Sequence, residues 1–238
     1  TTPVQILLDY NQSSIELNGT SNKPTVKYVD ANGVKQNAKN KVTIAATGYA
    51  IAKFDTTNGQ ITVKNDEKYI GQTITVTAVD SRYNLTATET LTVADEAQNI
   101  KFDTNKAQVN VNNKIDFKVT DANGNVVALG NNATVKEVNF VITSKPEGAK
   151  VSAVTSGNYQ KDLQSEGKAT MALTSDKEGD VTVQVLVSVE APSSTSSTGL
   201  RTKYYTGTAT FNVAKQIGTG NAVVMTIGSA TMVVNDTT

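Results

Sequence analysis

From Val181 to Val189 every second residue is valine, and Thr182, Gln184, Leu186 and Ser188 fill the gaps. A period of two belongs to a β-strand, whose successive side chains point to opposite faces, whereas an α-helix repeats near 3.6. Ile74, Val76 and Ala78 alternate in the same way with Thr73, Thr75 and Thr77. After Asp80-Ser81-Arg82-Tyr83-Asn84, the residues Leu85, Ala87, Leu91 and Val93 alternate with Thr86, Thr88, Thr90 and Thr92. This spacing predicts a hairpin with one apolar and one Thr-covered face, and the apolar face requires a second sheet over it. Ala209, Phe211 and Val213 resume the pattern of the valine run, so these two segments read as long neighbouring strands. No window holds an i, i+3, i+4, i+7 apolar stripe over three turns, and β-branched Thr and Val disfavour helix. At most a turn or two of helix is expected, near Asp95 to Asn99 or Lys161 to Glu166.

Punctuation sets the number of strands. Asn-Gly stands at Asn18-Gly19, Asn32-Gly33, Asn58-Gly59 and Asn123-Gly124, where a left-handed backbone costs little. Short alternating segments bounded this way predict an all-β chain built of sandwiches. An internal echo sets the domain count: Val26-Lys27-Tyr28-Val29-Asp30-Ala31-Asn32-Gly33 returns in form as Phe117-Lys118-Val119-Thr120-Asp121-Ala122-Asn123-Gly124. Two sandwiches are therefore expected, over 1–95 and 96–214, with a stiff junction because Val93 to Gln98 holds neither Gly nor Pro. Residues 191–199, from Ala191-Pro192 through a Ser/Thr run to Gly199, read as a protruding, mobile hairpin tip. Residues 215–238 read as a linker followed by a β-hairpin from about 221 to 236, turning at Gly228-Ser229.

Composition removes most chemistry. Among 238 residues there is no Cys, His or Trp, which excludes thiol nucleophiles, disulfides, His or Cys zinc sites and histidine acid–base catalysis. Twenty-two basic against twenty-two acidic side chains give zero formal charge, so no broad attraction to nucleic acid or an anionic bilayer is expected. Apolar runs are too short for a membrane-spanning helix. The start at Thr1-Thr2 reads as a processed mature terminus or an excised fragment.

What remains is oxygen chemistry on Ser, Thr, Asp and Glu. Ser165-Glu166-Gly167-Lys168 has the Ser-x-x-Lys spacing of one class of nucleophile, but reads better as a polar turn before the strand at Ala169. Asp66-Glu67, Asp95-Glu96 and Asp176 with Glu178 are carboxylate pairs in turns, where such pairs are usually solvated surface. Asp121-Ala122-Asn123-Gly124-Asn125 presents oxygens at alternate positions as calcium loops do, yet its Gly comes too early and no Glu follows at the required distance; a plain hairpin turn fits better. Structural calcium at the junction, held by Asp95-Glu96 with Asp30 or Asp121, stays open. Tyr204-Tyr205 beside Lys203 is a candidate sugar-stacking pair, against the reading that one ring packs inward. No catalytic, cofactor-binding or metal residue is assigned.

The first unit resembles the group-2 bacterial immunoglobulin-like domains through Ile15-Glu16-Leu17, the Asp-x-Asn-Gly turn, Ile51-Ala52-Lys53-Phe54-Asp55-Thr56-Thr57-Asn58-Gly59-Gln60-Ile61-Thr62-Val63 and Gly71-Gln72-Thr73-Ile74-Thr75-Val76. The second is similar to the group-1 relatives of surface adhesins through Val138-Asn139-Phe140-Val141-Ile142, Gly167-Lys168-Ala169-Thr170-Met171-Ala172-Leu173 and Gly179-Asp180-Val181-Thr182-Val183. Ala222 to Asn235 resembles the opening of a stalk domain named after the N-terminal domain of copper amine oxidase. Twenty Lys against two Arg in a Thr-, Asn- and Ser-rich chain also looks like many Gram-positive surface proteins. These resemblances imply two tandem immunoglobulin-like sandwiches plus the hairpin, in a non-catalytic segment of an extracellular surface-layer or cell-wall protein. Its implied partners are further copies of itself and cell-wall polysaccharide. An adhesin stalk or a carbohydrate-binding spacer is the alternative.

Overall fold

The computed structural model describes residues 2–38, 43–47, 50–192 and 196–216. The described chain is all-β, with sheets stacked in sandwich fashion, as the alternation predicts. In its first part β1 (Pro3–Asp9), β2 (Ser14–Glu16), β3 (Thr25–Asp30), β4 (Lys35–Asn37), β5 (Thr43–Ala46), β6 (Ala52–Phe54) and β7 (Ile61–Val63) precede a hairpin of β8 (Thr73–Asp80) and β9 (Leu85–Ala94). One layer is the sheet β2-β9-β8-β5; facing it are two smaller sheets, β1-β3-β4 and β6-β7. Ile74, Val76, Leu91 and Val93 pack with Ile15, Ile61, Val63 and Tyr10, while Ala78 packs with Ile6, Val26 and Tyr28. The Thr residues of the hairpin pair across it, Thr73 with Thr92, Thr75 with Thr90 and Thr77 with Thr88, on the outer face.

The second part comprises β10 (Asn99–Phe102), β11 (Lys106–Gln108), β12 (Asn113–Thr120), β13 (Thr134–Ser144), β14 (Val151–Ser156), α1 (Tyr159–Glu166), β15 (Lys168–Ser175), β16 (Gly179–Pro192) and β17 (Leu200–Ala214). The valine run and the Ala209 to Val213 run are neighbours: β16 and β17 pair antiparallel, with Val181 opposite Phe211. Every odd-numbered valine from 181 to 189 is buried, against Phe117, Met171 and Leu173 of the facing strands. Hydrogen bonding links all eight strands into one sheet, because β10 pairs antiparallel with β12 and parallel with β17 at Asn99 and Thr206. That switch requires a close backbone approach. A Cβ on Gly207 would collide with the Ile100 carbonyl, so only glycine fits where β10 crosses β17.

Among the described residues helix is confined to the two turns of α1 and a single 3-10 turn, Glu67–Tyr69. Leu163 anchors α1 in the core, and Gly167 ends it in the left-handed region (φ 67°), its N–H donating to the Leu163 carbonyl at 3.2 Å. The segment Asp95 to Gln98 is neither helix nor strand, with the Gln98 N–H donating to Thr120 O. Among the described residues no helix is long and apolar enough to cross a membrane. The expected hairpin at 221–236 lies outside the described residues, as do 193–195 in the β16–β17 tip.

Candidate functional site: the joint between the two sets of sheets

Both copies of the echoed segment fold alike. Each runs as a strand, β3 or β12, into a turn closed by its own aspartate. Asp30 Oδ1 accepts the N–H groups of Asn32 and Val34 at 2.8 and 3.0 Å; Asp121 Oδ1 accepts those of Asn123 and Asn125 at 2.9 and 2.8 Å. Gly33 and Gly124 supply the positive φ. In the second copy Asp121 Oδ2 also accepts the Asp95 N–H at 3.0 Å and the Asn125 side-chain amide at 2.9 Å. Burial pushes the Asp121 carboxyl up, but these N–H donors outweigh it and hold it below the usual aspartate range. Its lone pairs are thus directed at N–H groups and not at a cation. Asp95 and Asp121 do come together, through backbone and not as paired ligands. Asp30 lies at the opposite end of β3 from Asn22, which belongs to the joint.

No strand of the first part pairs with a strand of the second among the described residues, yet hydrogen bonds cross between them. The Ser13 N–H donates to Ser165 O at 2.8 Å, the Ala128 N–H to Ser14 Oγ at 2.7 Å, and the Asn131 N–H to Asn22 Oδ1 at 2.8 Å. Asn22 is itself fixed: its N–H donates to Gln12 Oε1 at 2.7 Å, and its amide to the carbonyls of Tyr10 and Asn11, both at 3.1 Å. Gln12, Ser14 and Asn22 are all buried. Apolar packing supports the same place, since Ala94 and Ala97 belong to the core of the second part.

One flank of the joint is an open cleft of about 390 Å³ between Glu96 to Gln98 and Arg201 to Tyr205. Glu96 Oε1 accepts Lys203 Nζ at 2.8 Å and Arg201 Nη2 at 3.2 Å. These cations, Lys203 first, hold the Glu96 carboxyl below its usual range against the effect of burial. Across from it, the Ala97 N–H donates to Glu16 Oε1 at 3.3 Å. Tyr205 is 4% exposed and Tyr204 64%, because adjacent strand positions face opposite ways. The sugar-stacking pair is therefore split: Tyr205 shares the inner side with Lys203, and Tyr204 lies on the outer face opposite Ser188.

The other sequence candidates fall into supporting roles. Asp66 caps the 3-10 turn at the Lys68 N–H and pairs with Lys68 Nζ at 2.7 Å; Asp176 accepts the Lys150 N–H and Glu178 the Lys215 N–H. Ser165 and Glu166 finish α1, so the polar turn before Ala169 is a helix end. Among the described residues no three carboxylates stand arranged to hold a metal ion. The joint residues Gln12, Ser14 and Asn22 carry no sequence signal beyond polarity.

No known family's sequence profile matches the chain, and no curated protein matches it. Among solved structures it is similar to domains 4 and 5 of the S-layer protein SbsC, with 15% identity over 90% of this chain and 100% of that one, TM-score 0.31. SbsC domains 5–6 give 18% identity over 91% and 100%, TM-score 0.33. A β-glycosidase from Bacteroides vulgatus gives 16% over 90% of this chain and 25% of its own length, TM-score 0.33. Overlaps this loose transfer neither arrangement nor activity.

Proposed function

We propose that the chain is a non-catalytic structural segment of a bacterial surface-layer or cell-wall-associated protein, in which two β-sandwich units, 1–95 and 96–214, act as one stiff spacer that assembles with further copies. The observation that carries this reading is the joint. Three backbone N–H groups, one of the first part and two of the second, end on acceptors across the joint, over buried Gln12, Ser14 and Asn22. Loss of the acceptor of the buried Ala128 N–H costs about 1–3 kcal/mol, and the bonds from Ser13 and Asn131, on exposed residues, add to it, so the set resists hinging. Domains joined without such contacts move freely by default. The outer Thr ladders, the zero net charge and the resemblances to surface modules agree with an extracellular location and contacts between copies.

Dilution from denaturant with and without calcium, followed by electron microscopy, tests the assembly. Sheets or filaments support it; a chain that stays monomeric under both conditions favours the adhesin-stalk alternative. Contact with cell-wall polysaccharide is a further part of the proposal, tested by co-sedimentation with purified walls.

A further inference from the structure

We propose that the end of the second sandwich where β11 lies beside β17 is a second joint seat, and that residues 217–238 of this chain occupy it. The proposal rests on the joint described above as a stiff contact, because one half of that joint is built again there. Lys106, Ala107 and Gln108 of β11 lie parallel to Asn212, Val213 and Ala214 of β17, as Ser14, Ile15 and Glu16 of β2 lie parallel to Thr92, Val93 and Ala94 of β9. The flanking bonds repeat as well. The Asn212 N–H donates to Asn105 O at 2.8 Å and the Thr92 N–H to Ser13 O at 3.1 Å; the Val109 N–H donates to Ala214 O at 3.0 Å and the Leu17 N–H to Ala94 O at 2.8 Å. Asn110 and Asn18 then turn the chain with φ of 60° and 59°. Position by position, Gln108 stands where Glu16 does, and Ala214 where Ala94 does.

At the first of these ends the second sandwich is seated: Ser13 and Ser14 bond Ser165 and Ala128, and Glu16 accepts the N–H of Ala97, three residues past Ala94. At the second end the corresponding place is an open cleft of about 380 Å³ between Lys106, Gln108, Asn113, Ala214, Lys215 and Gln216. Among the described residues the hydrogen bonds of Gln108 are made by its backbone, and Val111, on the turn between β11 and β12, is 42% exposed. The chain itself leaves through this cleft. Glu178 Oε2 holds the Lys215 N–H at 2.9 Å, as Asp121 holds that of Asp95, so the backbone is fixed on its way out. Ile217 stands three residues past Ala214, in the place of Ala97, and Ala222 to Ile227 and Thr231 to Val234 follow with apolar side chains. A tethered segment meets the cleft at an effective concentration on the order of millimolar, which favours it over a separate molecule. Another copy is also poorly supplied, since its Ala128 and Ser165 are engaged in its own joint. Ile217 donates its N–H to the Gln108 side-chain oxygen, and the apolar residues behind it cover Val111.

Amide hydrogen exchange of the whole chain, followed by NMR, tests the seat. The expected result is slow exchange at Ile217 and within 222–227, to a degree that does not change with protein concentration. Gln108→Leu is expected to speed the Ile217 amide about tenfold, and Gln108→Glu, which keeps an acceptor as Glu16 does, to leave it slow. Val111→Asp is expected to speed the amides of 222–227. An Ile217 amide that exchanges freely in the parent, or that Gln108→Leu leaves unchanged, overturns the seat, as does protection of 222–227 that Val111→Asp does not reduce. Protection that grows with protein concentration gives the cleft to a second copy and overturns the assignment too. The Ala128 amide, read in the same spectra, keeps the two failures apart. If it stays slow while 217–238 exchange freely, only the second seat is lost; if it is fast as well, the stiff spacer is lost with it.

Discussion

Asp30 and Asp121 hold the same turn in the two halves of the chain, each accepting the N–H groups two and four residues ahead on a single carboxylate oxygen. Only the second binds the linker through its other oxygen, at the Asp95 N–H. The element that closes the hairpin in both halves thus also helps to lock the joint in the second.

Replacing Asp121 with Ala leaves four N–H groups without their acceptor in a buried site. The expected loss is about 2–4 kcal/mol by denaturant unfolding. Asp30→Ala is also expected to destabilise the protein. The two part in the hydrogen exchange of the Asp95 amide, which should accelerate only in Asp121→Ala.

Ser14→Ala removes the acceptor of the buried Ala128 N–H and creates almost no cavity. A loss of about 1–2 kcal/mol is expected, with faster amide exchange at Ala128. Unchanged exchange there would show that the Ser14 contact contributes nothing to the joint.

Acid stability turns on Asp80. Its buried carboxylate accepts the Tyr28 hydroxyl and the Arg82 guanidinium, the latter at 2.6 Å, and Arg82 above all holds it well below the usual aspartate range. A carboxyl depressed in the folded state contributes stability that is complete above its unfolded value of ~3.9 and is lost as pH falls through its folded value. Asp80→Asn should therefore flatten the strongly acidic limb of a urea-midpoint against pH curve. Glu89 acts the other way. Burial first raises its carboxyl, the Tyr10 N–H opposes this and Asp9 adds to it, so the folded state binds that proton more tightly. Stability from Glu89 should rise as pH falls from its raised value toward its ordinary one, and Glu89→Gln should abolish that rise.

The alternation at 73–78 and 181–189 reveals strands because burial of one face imposes a period that any window of the chain displays. The echoed Asp-Ala-Asn-Gly text reveals its turns because a side chain closing its own loop is a local event. The joint has no such signature. Gln12, Asn22 and Asn131 meet only through the folded chain, and polar loop residues look alike whether they face water or a buried N–H. The closure of the second sheet is equally silent in sequence. A single parallel bridge at Asn99 and Thr206 creates it, and its one trace is the glycine at 207, unremarkable among sixteen.

Gly207→Ala tests that closure. The added methyl collides with the Ile100 backbone, so β10 has to leave β17 or the strand has to shift. The cost should exceed the roughly 1 kcal/mol typical of a point substitution, with amide protection lost along Asn99–Phe102. A variant as stable as the parent would mean that β10 does not cross β17 there.

The central claim is that the two sets of sheets form one stiff body, and residual dipolar couplings of the backbone amides at mildly acidic pH test it most directly. A single alignment tensor fitting residues 2–38 and 50–94 together with 99–192 is the result expected. Two tensors of clearly different magnitude, one for each part, would contradict it.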